Sequence, residues 1–257
     1  MKCLLELKGV SAGYANFRGK NKPAVCNINL SVGEGELLVL AGPNGSGKTT
    51  ILKAAAGLLP PMEGHVLISG RDITTMTHKE RAALTSFLFQ VRENLWPFTV
   101  RETVSQACFA RRGWLGAETK ADRDAVESAI EKADIRAFAE LPVTSLSGGE
   151  LQRVFVARSI AQGAAFLLLD EPDNNLDPKY SYMVLSLISE LVKEGCGAIV
   201  SLHDLRLASR FAHRIALLSA DPLGSIYAIG RPEEILSKET LSRIYDISEE
   251  RVIDLLL

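Results

Sequence analysis

The stretch GPNGSGKTT, residues 42–50, has the composition and spacing to hold a phosphate group. Gly42, Pro43, Asn44, Gly45, Ser46, Gly47, Lys48 and Thr49 satisfy GxxxxGK[ST], with an apolar run before them and helical spacing after. Glycines let successive backbone N–H groups turn inward around an anion. The start of the following helix adds partial positive charge. At these spacings Lys48 reaches β- and γ-phosphates, and Thr49 offers its hydroxyl to Mg²⁺, with Thr50 next in the run.

A second stretch, FLLLDEP at 166–172, ends an apolar run on two carboxylates. Alone, such a pair reads as solvated acids at a strand end. Downstream of a phosphate loop it reads differently: Asp170 supports Mg²⁺, and Glu171 takes a proton from an attacking water or orients it. Asp173 and Asp177 follow, but their spacing and the lack of a central glycine exclude a calcium loop. Asp177-Pro178 also has the form of a helix cap followed by proline at the first helical position.

A third stretch, LSGGELQR at 146–153, carries Ser147, Gly148, Gly149 and Glu150. It is a capping box, with Ser147 capping the helix and Glu150 reaching back. It is equally an anion site made of a hydroxyl, glycine N–H groups and a helix dipole. One chain binding one nucleotide has no use for two such sites. Two copies packed head to tail do: each nucleotide would be held between the 42–50 loop of one copy and Ser147–Gly149 of the other.

The elements that must position these groups follow from periodicity. Residues 4–15 and 24–32 alternate apolar and polar, as half-buried strands do. Continuous apolar runs at 36–42, 164–172 and 196–204 predict buried strands, and 65–70 another strand. Residues 49–59 have helical spacing, with Pro60-Pro61 to stop it. Thr77 with Glu80 and Thr99 with Glu102 are further capping boxes. Residues 91–145 read as a charged, mostly helical insertion, 178–195 as an amphipathic helix, 214–230 as a hairpin and 231–257 as a helical tail. Buried strands alternating with helices predict a mostly parallel sheet covered on both faces.

Bulk properties narrow the partners. The chain has 257 residues, 47% hydrophobic and 23% charged, with net charge −2 and no basic stripe, so nucleic acid is not an expected partner. Cys3, Cys26, Cys108 and Cys196 form no CxxC pair, which fits reduced thiols. No apolar run approaches the roughly 20 residues of a membrane-spanning helix, so any membrane role requires a partner.

Taken in order, these motifs make the chain resemble the nucleotide-binding subunit of an ATP-binding-cassette transporter over nearly its whole length. The resemblance implies an α/β fold: a P-loop NTPase core with a mostly parallel sheet, an N-terminal antiparallel β part and an inserted helical subdomain at about 91–145. The ATPase domain would span 1–230 and a helical tail 231–257. It makes GPNGSGKTT the Walker A motif, LSGGE the signature and FLLLDEP the Walker B motif with catalytic Glu171. It places Gln90 at the Q-loop, where it would contact Mg²⁺ and couple to a membrane partner. It places Asp177 in the D-loop, His203 as the switch histidine sensing the γ-phosphate, and Tyr14 on adenine. The implied cofactors are ATP and Mg²⁺. The implied partners are a second copy of the chain, transmembrane permease subunits and, indirectly, a substrate-binding protein, at the cytoplasmic face of the cell membrane.

Three positions depart from the family pattern: Glu150 where glutamine is common, Asp173 where threonine or serine often stands, and Phe89 where importers often have proline. None removes a catalytic group, so hydrolysis is expected. The segment 98–116 and the ending GRPEEILSKETLSRIYDI resemble importers of iron chelates, haem and cobalamin, and the length leaves no room for a large C-terminal regulatory domain. An ATPase of another importer or of an exporter, and a soluble cassette protein of iron–sulfur assembly, remain open on sequence.

Overall fold

A computed structural model describes residues 4–15, 21–89, 96–109, 116–174, 176–221, 223–248 and 250–252. The alternating N-terminal segments form β1 (Leu4–Ala15) and β2 (Asn21–Gly33), paired antiparallel. The apolar run after them is β3 (Leu37–Ala41), buried throughout. With β4 (Glu63–Ile68) and the short β5 (Arg71–Asp72), β1 and β2 make an antiparallel sheet of order β2-β1-β4-β5.

The second sheet is built from β3, β6 (Thr85–Leu88), β7 (Phe166–Asp170), β8 (Gly197–Ser201), β9 (Arg214–Ser219) and β10 (Ser225–Gly230). Its order is β10-β9-β3-β8-β7-β6. The pairs from β9 to β6 are parallel, and β10 returns antiparallel on β9 as the predicted hairpin. Continuous apolar runs are required because both faces are covered. Leu38, Leu40, Leu168 and Ile199 point into one core, and Leu37, Val39, Leu169 and Val200 into the other. That is the period-two alternation of a strand.

Helix α1 (Lys48–Ala55) packs in the first core, between the two sheets. It ends sooner than 49–59 predicts. Gly57 adopts φ +66° and its N–H bonds to the carbonyl of Ala54, closing the helix before Pro60-Pro61 is reached. A glycine in the left-handed region is the stronger stop here. Helix α2 (His78–Leu84) starts at the Thr77–Glu80 capping box, and α3 (Val100–Ser105) at the Thr99–Glu102 box.

Together with α4 (Lys120–Lys132) and α5 (Gly148–Ala161), α3 builds a third apolar core around Val104, Val126, Ile130, Val154 and Ala157. The helical layer therefore runs past residue 145 and includes α5. The second core is completed by α6 (Pro178–Lys193), α7 (Leu205–Phe211), α8 (Pro232–Ile235) and α9 (Lys238–Tyr245). Ile235 and Leu241 of the tail are buried there, so the tail is packed onto the sheet.

Candidate functional site

Parallel strands deliver their following loops to one edge, and ligands of α/β sheets bind at that carboxyl edge. Here β3, β8 and β7 are consecutive neighbours, with Leu40 paired to Ser201 and Ser201 to Asp170. The register thus sets side by side the 42–50 loop after β3, the SLHD turn after β8 and the Asp170-Glu171 pair at the end of β7.

Within the loop, Gly42 has φ +143° and Gly47 φ +92°. A Cβ at Gly47 would lie 2.1 Å from Val25 Cγ1, and one at Gly42 2.6 Å from the Leu218 carbonyl oxygen. Only glycine fits either place. Asn44 and Gly45 are exposed, Pro43 and Thr49 half-buried, and Ser46 and Thr50 buried. The Lys48 ammonium donates to the carbonyls of Gly42 at 2.7 Å and Pro43 at 3.2 Å. Burial pushes its pKa down, opposed by the charges of Glu171 and Asp170. The lysine and both carboxylates therefore share one electrostatic environment.

Asp170 is buried, and its Oδ1 accepts from the Ser201 hydroxyl at 2.8 Å. Glu171 lies at φ +49°, in the left-handed region, which turns the chain out of the strand. Its Oε1 is 2.7 Å from His203 Nε2, and its Oε2 accepts from the Asn174 amide at 3.2 Å. His203 follows β8, and Asp204 caps α7 by accepting from the N–H groups of Arg206 and Leu207. Burial raises the Asp173 pKa, with Glu171 and Asp204 pushing the same way and a backbone hydrogen bond and His203 opposing.

Tyr14 is exposed at the end of β1, with the Lys53 ammonium of α1 5.6 Å from its ring centroid. The ring thus lies beside the helix that the phosphate loop begins. Asp177 caps α6, its Oδ1 accepting from Tyr180 N–H at 3.0 Å, and proline takes the first helical position. Gln90 lies outside the described residues. Phe89 is exposed, its ring 4.5 Å from that of Phe87. His213 is held in a structural role, its Nδ1 accepting from Leu37 N–H at 3.0 Å.

Ser147 is exposed at the start of α5 and forms the full capping box with Glu150. Its hydroxyl donates to Glu150 Oε2 at 2.7 Å and accepts from Glu150 N–H at 3.4 Å. The hydroxyl first, and the Ser147 N–H second, hold the Glu150 carboxyl below its ordinary pKa. At the far end of α5, Gln162 donates to the carbonyls of Ala82 and Thr85, beside the start of β6. Helix α5 therefore rises along β6, and Ser147 reaches the carboxyl edge of the sheet. But β6 is three strands from β3, roughly 14 Å at the usual strand spacing. Among the described residues no hydrogen bond or ion pair joins Ser147–Glu150 to the 42–50 loop. Among the described residues the two glycine-containing helix starts therefore do not meet within one chain.

Sequence reasoning missed Ser201 and Asn174 as neighbours of the carboxylates. Nothing in the local sequence marks them; only the β7–β8 register brings Ser201 to Asp170.

Comparison with known proteins places these features. The profile described as ABC transporter matches residues 25–174. The hemin import ATP-binding protein of Streptomyces coelicolor is 40% identical over 238 residues, covering 92% of this chain and 82% of the relative. The iron(3+)-hydroxamate import ATP-binding protein of Bacillus subtilis is 34% identical over 251 residues, covering 97% and 90%. Among solved structures, the dimeric post-hydrolysis state of the ATP-binding cassette MJ0796, bound to ADP and Pi, superposes with TM-score 0.77 at 30% identity. It covers 89% of this chain and 98% of that one.

Proposed function

The chain belongs to the ABC transporter family, and from that membership we propose that it is the ATP-binding and ATP-hydrolysing subunit of an importer for an iron chelate, haem or cobalamin. The observation that carries the reading is the meeting of Lys48, Asp170, Glu171 and His203 at the carboxyl ends of three neighbouring strands. The hemin and iron-hydroxamate import relatives support the cargo class.

The geometry supports the following roles. The glycines of 42–50 turn backbone donors toward the phosphates, and Tyr14 offers a face to the adenine. Lys48 leaves the Gly42 and Pro43 carbonyls for the β- and γ-phosphates, a stronger charged partner. Glu171 Oε1 or Oε2 takes the proton of the attacking water or orients it. His203, hydrogen-bonded to Oε1, fixes that carboxylate and senses the γ-phosphate. Thr49 and Asp170 suit Mg²⁺: both are oxygen donors, and among the described residues no cluster of three His, Cys, Asp or Glu could hold a metal alone. A hard ion held mainly by phosphates and water fits that sparse donor set, and Gln90 would add another oxygen. Bound there, Mg²⁺ neutralises charge on the transferred phosphoryl group.

Two copies would sandwich two nucleotides, with Ser147, Gly148 and Gly149 of one facing the 42–50 loop of the other and Asp177 at the seam. The dimer would sit under two permease subunits on the cytoplasmic face of the membrane, with a substrate-binding protein engaged only through them. No described helix is long and apolar enough to cross a membrane. The helical layer and Gln90 would carry the coupling contact.

The test is affinity purification of the Glu171→Gln chain with Mg-ATP from native membranes, with bound proteins identified. A polytopic partner with about ten spans per subunit, long enough at roughly 20 apolar residues each, is the expected result. A six-span or fused partner would move the chain to another importer class or an exporter. Recovery only with soluble assembly factors would overturn transport and leave the ATP clamp.

A further inference from the structure

The end of β8 carries a buried hydroxyl that none of the motifs claims. Ser201 is fully buried. Its Oγ donates to Asp170 Oδ1 at 2.8 Å and accepts from the Glu171 backbone N–H at 2.8 Å. Its backbone pairs with Asp170 on one side and Leu40 on the other. One side chain thus touches both carboxylate-bearing residues from the strand that separates them from the phosphate loop.

The chemistry admits few alternatives to serine. A hydroxyl has one donor and two acceptor sites, so it can give to a carboxylate and receive from an amide at once. A buried carboxylate needs a donor, and a buried N–H needs an acceptor. The N–H of Glu171 needs one particularly, because at φ +49° this residue leaves the β7 ladder. A left-handed conformation at a non-glycine residue is strained and persists only where its surroundings enforce it. The hydroxyl accepts from the N–H of that turn, and the Glu171 side chain leaving it lies 2.7 Å from His203 Nε2.

We propose that Ser201 is a positioning residue for hydrolysis: its hydroxyl holds the Asp170 carboxylate and the Glu171 peptide in one fixed relation, so that metal support and water activation act on the same phosphate. The assignment rests on the roles of Asp170 and Glu171 proposed above. It predicts a defect in turnover with ATP binding retained, because among the described residues the Ser201 hydroxyl bonds to Asp170 and the Glu171 N–H and makes no hydrogen bond to the 42–50 loop or Tyr14.

The experiment compares the full-length wild-type chain with Ser201→Ala and Ser201→Thr. Steady-state ATPase is measured as functions of ATP and Mg²⁺, and amide hydrogen exchange at Glu171 is measured without nucleotide. Ser201→Ala should lower kcat about 10- to 100-fold, the range for losing a hydrogen bond that orients a metal-ligating carboxylate. KM for ATP should change less than about threefold, the half-saturating Mg²⁺ should rise, and Glu171 exchange should accelerate. Ser201→Thr keeps the hydroxyl and should recover most of kcat and the slow exchange. Should the alanine chain not fold, Ser201→Cys, similar in size but a weak donor, takes its place with the same expected losses. Unchanged kcat, unchanged Glu171 exchange, or a threonine variant no better than alanine would overturn the proposal. A wild-type chain that hydrolyses no ATP would instead overturn the functional reading on which it rests.

Discussion

At the scale of single residues, the proposed roles separate binding from chemistry. Lys48 is held by the loop it belongs to, whereas Glu171 is held by Asn174 of its own turn and by Ser201 and His203 from another strand and its following turn. Glu171→Gln keeps the shape while removing the proposed base. It should retain ATP binding and lose roughly 100-fold or more in turnover, as phosphate release will report. Lys48→Ala should lose both binding and turnover. Full turnover in the glutamine variant would remove Glu171 as the base. Asp173 gives a stability prediction. Its pKa is raised in the folded chain, so folding favours its protonated form. Its contribution is intact below the unfolded pKa and is lost as pH rises through the raised one. Asp173→Ser should therefore raise Tm at neutral pH, and the gain should shrink in acid; thermal melts across that range check the sign. The residues legible from sequence were those whose partner is local, such as Lys48 in its own loop. Ser201 was not, because its partners lie 30 and 31 positions away and meet it only through strand register.

At the scale of elements, helix starts were read well and one helix end badly. The boxes at Thr77, Thr99 and Ser147 all form, since each needs only residues three apart. Helix α1 ends at Ala55 because Gly57 takes the left-handed region first, a choice that apolar periodicity through Leu59 conceals. Likewise, the parallel sheet was legible from buried runs alternating with helices, but its strand order was not. The α5 start lends itself to a direct measurement. Ser147→Ala removes the cap and should cost about 1 kcal/mol, seen as a shift of a few degrees in Tm. The Glu150 carboxyl, held below its ordinary pKa, contributes stability above the unfolded pKa that fades as pH falls through the folded one. The gap between wild type and Ser147→Ala should therefore narrow in acid, and a constant gap across pH would show that the Glu150 half of the box contributes nothing.

At the scale of the whole molecule, the open geometry is the lateral distance between the two glycine-containing helix starts, at 42–50 and 147–149. A second copy would resolve it if both bind phosphate, and Gly148 offers a clean way to ask. A Cβ there meets nothing within 4 Å, and the residue is exposed in the first turn of α5. Gly148→Asp should therefore fold normally, since an acid at a helix start is favourable by roughly 0.3–1 kcal/mol. In a head-to-tail sandwich the same carboxylate would face the γ-phosphate and repel it. With Glu171→Gln to prevent hydrolysis, ATP should convert the parent chain from monomer to dimer in light scattering. The Gly148→Asp version should stay monomeric with a Tm no lower than the parent's. Mixing then decides which chain supplies which half. A Gly148→Asp chain has an intact 42–50 loop, and a Lys48→Ala chain has an intact Ser147–Gly149 start. One of the two composite sites in their mixed dimer is whole, so the mixture should recover part of the ATPase that each lacks alone. No recovery, despite both chains folding, would mean that each nucleotide is completed within its own chain and that the signature serves α5 alone.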